Sequence, residues 1–128
     1  MKELTKAEEQ VMQYLWKLEK GFLKDIIDEF PEPRPANTTV ATVVRVLVKK
    51  GFIGYTIFGK TNQYYPLISK KSYTREYMRG VFSSLFNNSV QKFTSFFTRE
   101  QDLSLTELEE MKALIEEQIQ SKKQQADE

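Results

Sequence analysis

Between Asn37 and Lys50 the chain reads Asn-Thr-Thr-Val-Ala-Thr-Val-Val-Arg-Val-Leu-Val-Lys-Lys, a run so rich in β-branched residues that composition alone points to a strand. Spacing overrules composition. Val40, Val43, Val44, Leu47 and Val48 fall at i, i+3, i+4, i+7 and i+8, which is one face of a helix, whereas strict alternation mixes Thr42 with Val44. Asn37 or Thr38 suits the start, Lys49 and Lys50 complement the carboxyl end, and Gly51 supplies the stop. A helix that turns valine inward turns Thr38, Thr42, Arg45 and Lys49 outward, within about 60° of one another, with Ala41 and Thr39 at their flanks.

The neighbouring segments fix where that helix sits. Thr5 and Glu8 have the spacing of a capping box, and Leu4, Ala7, Val11, Leu15 and Leu18 form the stripe of a first helix that Gly21 should end. Phe22, Leu23, Ile26, Ile27 and Phe30 form a second, short one, closed by Pro31, Pro33 and Pro35. After Gly51, two β-prone runs, Phe52 to Phe58 and Gln63 to Ile68, flank a Gly59-Lys60-Thr61-Asn62 tip and predict a hairpin. Helical spacing then returns. Tyr73, Tyr77, Met78, Val81, Phe82, Leu85 and Phe86 make one stripe, Val90, Phe93, Phe96 and Phe97 another, and a last helix opens at Ser104 with Leu105, Leu108, Met111, Leu114, Ile115 and Ile119.

Three short helices, a hairpin and further helices predict a mainly α protein with a small β-hairpin wing. This is a winged helix-turn-helix over about residues 1–70, a helical region over 71–121 and a disordered tail over 122–128. The five phenylalanines between Phe82 and Phe97 lie beyond an already complete small domain, so a dimer interface explains Phe82, Leu85, Phe86, Phe93, Phe97, Leu105, Leu108, Met111 and Ile115 better than a ligand pocket does. A lone Trp16 at helical spacing reads as core, and of Tyr64 and Tyr65 one should face the core and the other the wing surface.

Charge adds the partner class. The net value is +1, but residues 36–99 hold 10 Lys/Arg against one acid, Glu76, and residues 33–75 hold no acid at all. That asymmetry suits a polyanion. Small hydroxyls beside one arginine fit the DNA major groove, so Thr38, Thr39, Thr42, Arg45 and Lys49 are the expected DNA-binding residues, with Lys60 at the hairpin tip reaching a phosphate. The competing reading is a winged helix used for protein–protein contact with an acidic partner and without sequence-specific DNA binding. An enzyme is not expected. Cys 0 and His 0 remove thiol and imidazole nucleophiles, disulfides and the common metal ligand sets, so neither a cofactor nor a metal is predicted, and the acidic residues around Glu107, Glu109, Glu110, Glu116 and Glu117 read as a solvated helix face. The chain has no apolar run of membrane-spanning length and no apolar core in its first residues, which predicts a cytoplasmic protein without membrane insertion.

Several separated stretches also carry a resemblance. Leu4 to Trp16 (Leu-Thr-Lys-Ala-Glu-Glu-Gln-Val-Met-Gln-Tyr-Leu-Trp), Thr38 to Ile53, Tyr64 to Ser69, Leu85-Phe86-Asn87-Asn88-Ser89 and Asp102 to Glu110 resemble, in order, the penicillinase-repressor (BlaI/MecI/CopY) family of bacterial winged-helix regulators, over residues 4 to about 118. The resemblance implies a homodimer on double-stranded DNA with a palindromic operator, blocking transcription until inactivated. The Arg45-Val46 pair departs from the family's usual polar-Arg order, and with Cys 0 the copper-responsive mode of some members is excluded. In the resembling repressors of β-lactam resistance a sensor-activated protease cuts after an Asn that precedes a Phe, a few residues before Asp-Leu-Ser. The matching place here is Phe96-Phe97 ahead of Asp102-Leu103-Ser104, without the Asn.

Overall fold

The structure is a computed structural model that describes residues 3–127, so the expected boundaries at Met1 and Glu128 lie outside the described residues. Helix α1 (Lys6–Leu18) opens with the expected reciprocal cap. The Thr5 hydroxyl accepts the Glu8 amide at 3.2 Å, and the Glu8 carboxylate accepts the Thr5 amide at 2.8 Å. It ends earlier than Gly21 because Glu19 turns to a φ of 69°, its amide bonding back to Leu15. Gly21 instead enters β1 (Gly21–Phe22), a strand too short to show any periodicity in sequence.

Helices α2 (Leu23–Asp28) and α3 (Asn37–Lys49) follow, and then β2 (Ile53–Phe58) and β3 (Thr61–Pro66). The N-cap of α3 is Ala36, one position before the expected Asn37 or Thr38, and it offers no side-chain cap. The hairpin is tighter than expected. Phe58 pairs with Thr61 and Ile57 with Asn62, so the turn is Gly59-Lys60 alone, with Gly59 at φ 60°, the positive value that the first position of a two-residue hairpin turn requires. The sheet is antiparallel in the order β1-β3-β2, Gly21 pairing with Tyr64 and Phe22 with Gln63. Gly54 has a packing reason: the Tyr65 ring lies across it, and a Cβ there would come to 2.8 Å from that ring.

The core beneath this sheet joins Val11, Met12 and Leu15 of α1, Ile26 and Ile27 of α2, Val40, Val44 and Leu47 of α3, and Phe52 and Ile53. Burying each such side chain contributes about 1.5–3 kcal/mol, and this is what holds the short helices, none of which would persist alone. Trp16 packs at the core's edge as expected and donates its indole N–H to the Ile68 carbonyl at 2.8 Å. Tyr64 packs on the core and Tyr65 lies towards the surface. One ion pair is largely enclosed: Lys50 Nζ stands 2.7 Å from Glu8 Oε1 and also donates to the Glu3 carbonyl, tying the end of α3 to the start of α1. Burial works to raise the Glu8 carboxyl, but the Lys50 ammonium and the Thr5 donors outweigh it and hold the group below the usual carboxylate range.

Helix α4 (Lys70–Phe86) begins inside this same unit. Tyr73 is buried among Trp16, Phe52 and Tyr77 and donates its hydroxyl to Glu9 Oε2 at 2.9 Å. The described residues accordingly divide at Arg79–Gly80, not at residue 70, because the expected boundary would strip the core of Tyr73. The first unit is a winged helix completed by the first turns of α4.

The second unit holds the rest of α4, α5 (Val90–Glu100) and α6 (Leu105–Asp127). Asn87 and Asn88 make the turn into α5 at φ 50° and 59°, a region their short side chains tolerate. Phe93 meets Phe82 and Phe86 edge-on and stacks on Phe97, and Phe96 packs on Phe86. Where a disordered tail is expected from residue 122, helix α6 runs on to Asp127, since the Gln-, Lys- and Ala-rich sequence has good helix propensity without needing to bury anything.

Two stability effects should follow from the enclosed polar pairs. Lys50→Met strands the Glu8 carboxylate and should cost about 2 kcal/mol in urea unfolding at pH 7, less than for fully buried pairs because Lys50 keeps some access to water. Because the folded Glu8 is the stronger acid, that difference should shrink as pH falls through its folded pKa. Burial and the Glu9 carboxylate push Tyr73 up to about 12, so its contribution is complete below pH 10 and is lost as pH rises towards 12. Tyr73→Phe should flatten the alkaline limb of a stability–pH curve, and an unchanged limb would contradict this role.

Candidate nucleic-acid interface

The burial of Val40, Val44 and Leu47 fixes the rotation of α3 about its axis, and with it the outward row. Thr38, Thr42, Arg45 and Lys49 are all exposed on that row, and Thr39 is exposed at its flank. Among the described residues, Arg45 and Lys49 have no ion-pair or hydrogen-bond partner. Lys50, next in sequence, points the other way into the Glu8 pair. Thr42 is bonded within its own helix. Its hydroxyl donates to the Thr38 carbonyl at 2.8 Å, which leaves its oxygen as an acceptor and its methyl group for an apolar contact. With Ala36 as N-cap and no side-chain acceptor in place, the Asn37 and Thr38 amides have no partner among the described residues, while the Thr39 amide bonds to the Ala36 carbonyl at 3.0 Å, and the positive end of the helix dipole favours an anion there.

Lys60 belongs to a different element, the β2–β3 turn, where it is exposed and unpaired among the described residues. Beside it the structure adds a residue that the sequence reading missed. Lys24, at the start of α2, lines a cleft with Phe22, Leu23, Asp25, Lys60, Thr61, Asn62 and Tyr64. The pairing of Gly21 with Tyr64 and of Phe22 with Gln63 brings these segments together. In sequence, Lys24 is lost within residues 1–35, which hold 8 acids against 6 bases. The wing above it exposes Ile57 and Phe58, and the Phe58 ring meets Phe22 edge-on.

The expected interface residues divide into two kinds. Phe82, Phe86, Phe93 and Phe97 pack on one another within the chain and are half-buried by doing so, while Leu85 and Leu105 are each 72% exposed and Leu108, Met111 and Ile115 share one side of α6. Phe96 and Phe97, the candidate cleavage site, lie inside the continuous helix α5. Among the described residues no group of His, Cys, Asp or Glu is arranged to hold a metal ion, and no helix is long and apolar enough to cross a membrane.

A family model described as "Penicillinase repressor" matches residues 4–117. The methicillin resistance regulatory protein MecI of Mammaliicoccus sciuri is 30% identical over 122 residues, spanning 88% of this chain and 93% of that protein. The penicillinase repressor of Bacillus licheniformis is 24% identical over 123 residues, spanning 95% and 96%. Among solved structures, the DNA binding domain of the repressor BlaI is similar at 27% identity and a TM-score of 0.49, covering 57% of this chain and 94% of that one. By the extent of the family match and the near end-to-end alignment with MecI, the chain belongs to the penicillinase repressor (BlaI/MecI) family of winged-helix proteins.

Proposed function

We propose that the chain is a sequence-specific transcriptional repressor that binds a palindromic operator in double-stranded DNA as a homodimer. The observation that carries the DNA half of this reading is the outward row of α3, where hydroxyls and two free cations stand over a stretch of chain without a single acid. In this reading Arg45 meets a guanine edge, Thr42 offers its methyl to a thymine, and the Asn37 and Thr38 amides, with Lys49, Lys60 and Lys24, hold phosphates.

The homodimer half rests on the second unit. Among the described residues, none of α5 or α6 is buried, and α6 is a helix of 23 residues with Leu105, Leu114, Ile115 and Ile119 exposed. Leu108, Met111, Ile115 and Ile119 recur at three- and four-residue steps, with Glu109, Glu110, Glu116 and Glu117 on the far side, which is the pattern of a helix that closes against a partner. A second copy of the same stripe would cover it symmetrically and link two reading heads.

The names of the relatives, a methicillin resistance regulator and a penicillinase repressor, favour relief of repression by a cell-wall signal. If a sensor-activated protease acts at Phe96–Phe97, α5 must open first, because the scissile bond is helical and the Phe97 ring is stacked on Phe93. The cut would separate α6 from the winged helix and abolish the linkage between half-sites.

Three measurements test this reading. Selection from random duplexes should yield a palindrome preferred by about 10³ over unrelated DNA, and the absence of any preference would favour the protein-contact alternative. On that duplex Arg45→Ala should cost roughly 1–3 kcal/mol and relax sequence choice, whereas Lys60→Ala should weaken all duplexes alike and lower the salt slope by about one. Sedimentation of the intact chain at micromolar concentration should give a dimer. Leu105→Asp, at a residue 72% exposed in the single chain, should give a monomer that binds the palindrome no better than a single half-site.

A further inference from the structure

Helix α4 carries in its interior a glycine that packing does not require. Gly80 is exposed, its φ is not in the left-handed region, and a Cβ added to it would meet no atom within 4 Å. Alanine would fit there, and glycine costs the helix backbone entropy that alanine does not. Its place in the chain gives it meaning, because the two compact units meet at Arg79–Gly80. On one side Tyr73 fastens α4 to Glu9, Trp16 and Phe52, and on the other Phe82 and Phe86 are held by Phe93. Between these anchorages residues 74–80 are exposed.

A second weakening lies one turn on. The Ser84 hydroxyl donates to the Gly80 carbonyl at 2.8 Å, so this carbonyl is shared between the side chain and the helix's own amide. Back-bonding of this kind bends helices, and sharp bends concentrate where glycine and serine occur together. Gly80-Val81-Phe82-Ser83-Ser84 combines both features in five residues of an otherwise regular helix.

We infer that residues 79–84 are a hinge in α4, set by Gly80, and that this hinge determines how far apart the two half-sites of an operator can lie. The second clause rests on the homodimer and palindrome reading above. Each base pair inserted between half-sites rotates one against the other by about 35°, a change that a stiff helix would transmit as strain and a bending one would absorb. Gly80 then acts on specificity without touching DNA, by widening the set of spacings the dimer accepts.

Hydrogen exchange on the full chain without DNA tests the hinge by itself. The amides of Ser83 and Ser84, which bond to the Arg79 and Gly80 carbonyls, should exchange faster than that of Tyr77, and Gly80→Ala should slow them about fivefold. Exchange as slow as at Tyr77 in the unaltered chain, or unmoved by the substitution, overturns the hinge. The second measurement is affinity for palindromes with one or two base pairs added or removed at the centre. The unaltered chain should show a broad profile and Gly80→Ala a narrow one with the same optimum, while a single half-site should bind both equally. Coincident profiles overturn the role in spacing, whereas an unaltered chain that prefers no palindrome overturns the operator reading and leaves the exchange result to decide the hinge.

Discussion

The burial of one face of α3 is the constraint on which the rest of the first unit, and the row of residues proposed to bind DNA, depends. Val40, Val44 and Leu47 are enclosed by α1, α2 and the strand that starts at Ile53, and because a helix is rigid about its axis, enclosing them leaves no freedom in where Thr38, Arg45 and Lys49 point. Core and interface are therefore two sides of the same 13 residues. The Glu8–Lys50 pair adds a longitudinal stop at the far end of the helix, fixing its position along the axis as the valines fix its rotation.

Most of this was legible in sequence because it rests on periodicity and on strong local signals. The Thr5–Glu8 cap and the α3 valine spacing depend on neighbours no more than eight residues apart, and the hairpin on two β-prone runs joined by a short glycine-containing turn. What escaped depends on distant segments or on too few residues to repeat. Strand β1 has two residues, and only β3 makes it a strand. The burial of Tyr73 needs α1 and Phe52, so the first unit's limit could not be seen from the return of helical spacing after the hairpin. Lys24 joins Lys60 only through that same β1–β3 pairing.

The interface half shows the reverse limitation. A stripe of phenylalanines in sequence does not say whether the rings will cover one another or a second molecule, since both satisfy the same spacing. Phe93 lies between Phe82, Phe86 and Phe97, and the α4–α5 turn through Asn87 and Asn88 brings them together locally. On α6, Leu105, Leu114, Ile115 and Ile119 stay exposed among the described residues, so aromatic residues hold the local turn while these aliphatic ones remain outside.

The connector between α2 and α3 alters how the protein's charge should be counted. Arg34 donates to the Phe30 and Asp28 carbonyls and pairs with Glu32 at 2.9 Å, so its guanidinium closes the end of α2 over a segment whose prolines have no amides to offer. Lys50 is likewise held inward. Counterions released on meeting a polyanion come only from phosphates that uncommitted cations neutralise. The salt sensitivity of the proposed binding therefore reports on fewer positive side chains than the sequence contains, and Arg34, three residues before the start of α3, acts there as part of the frame.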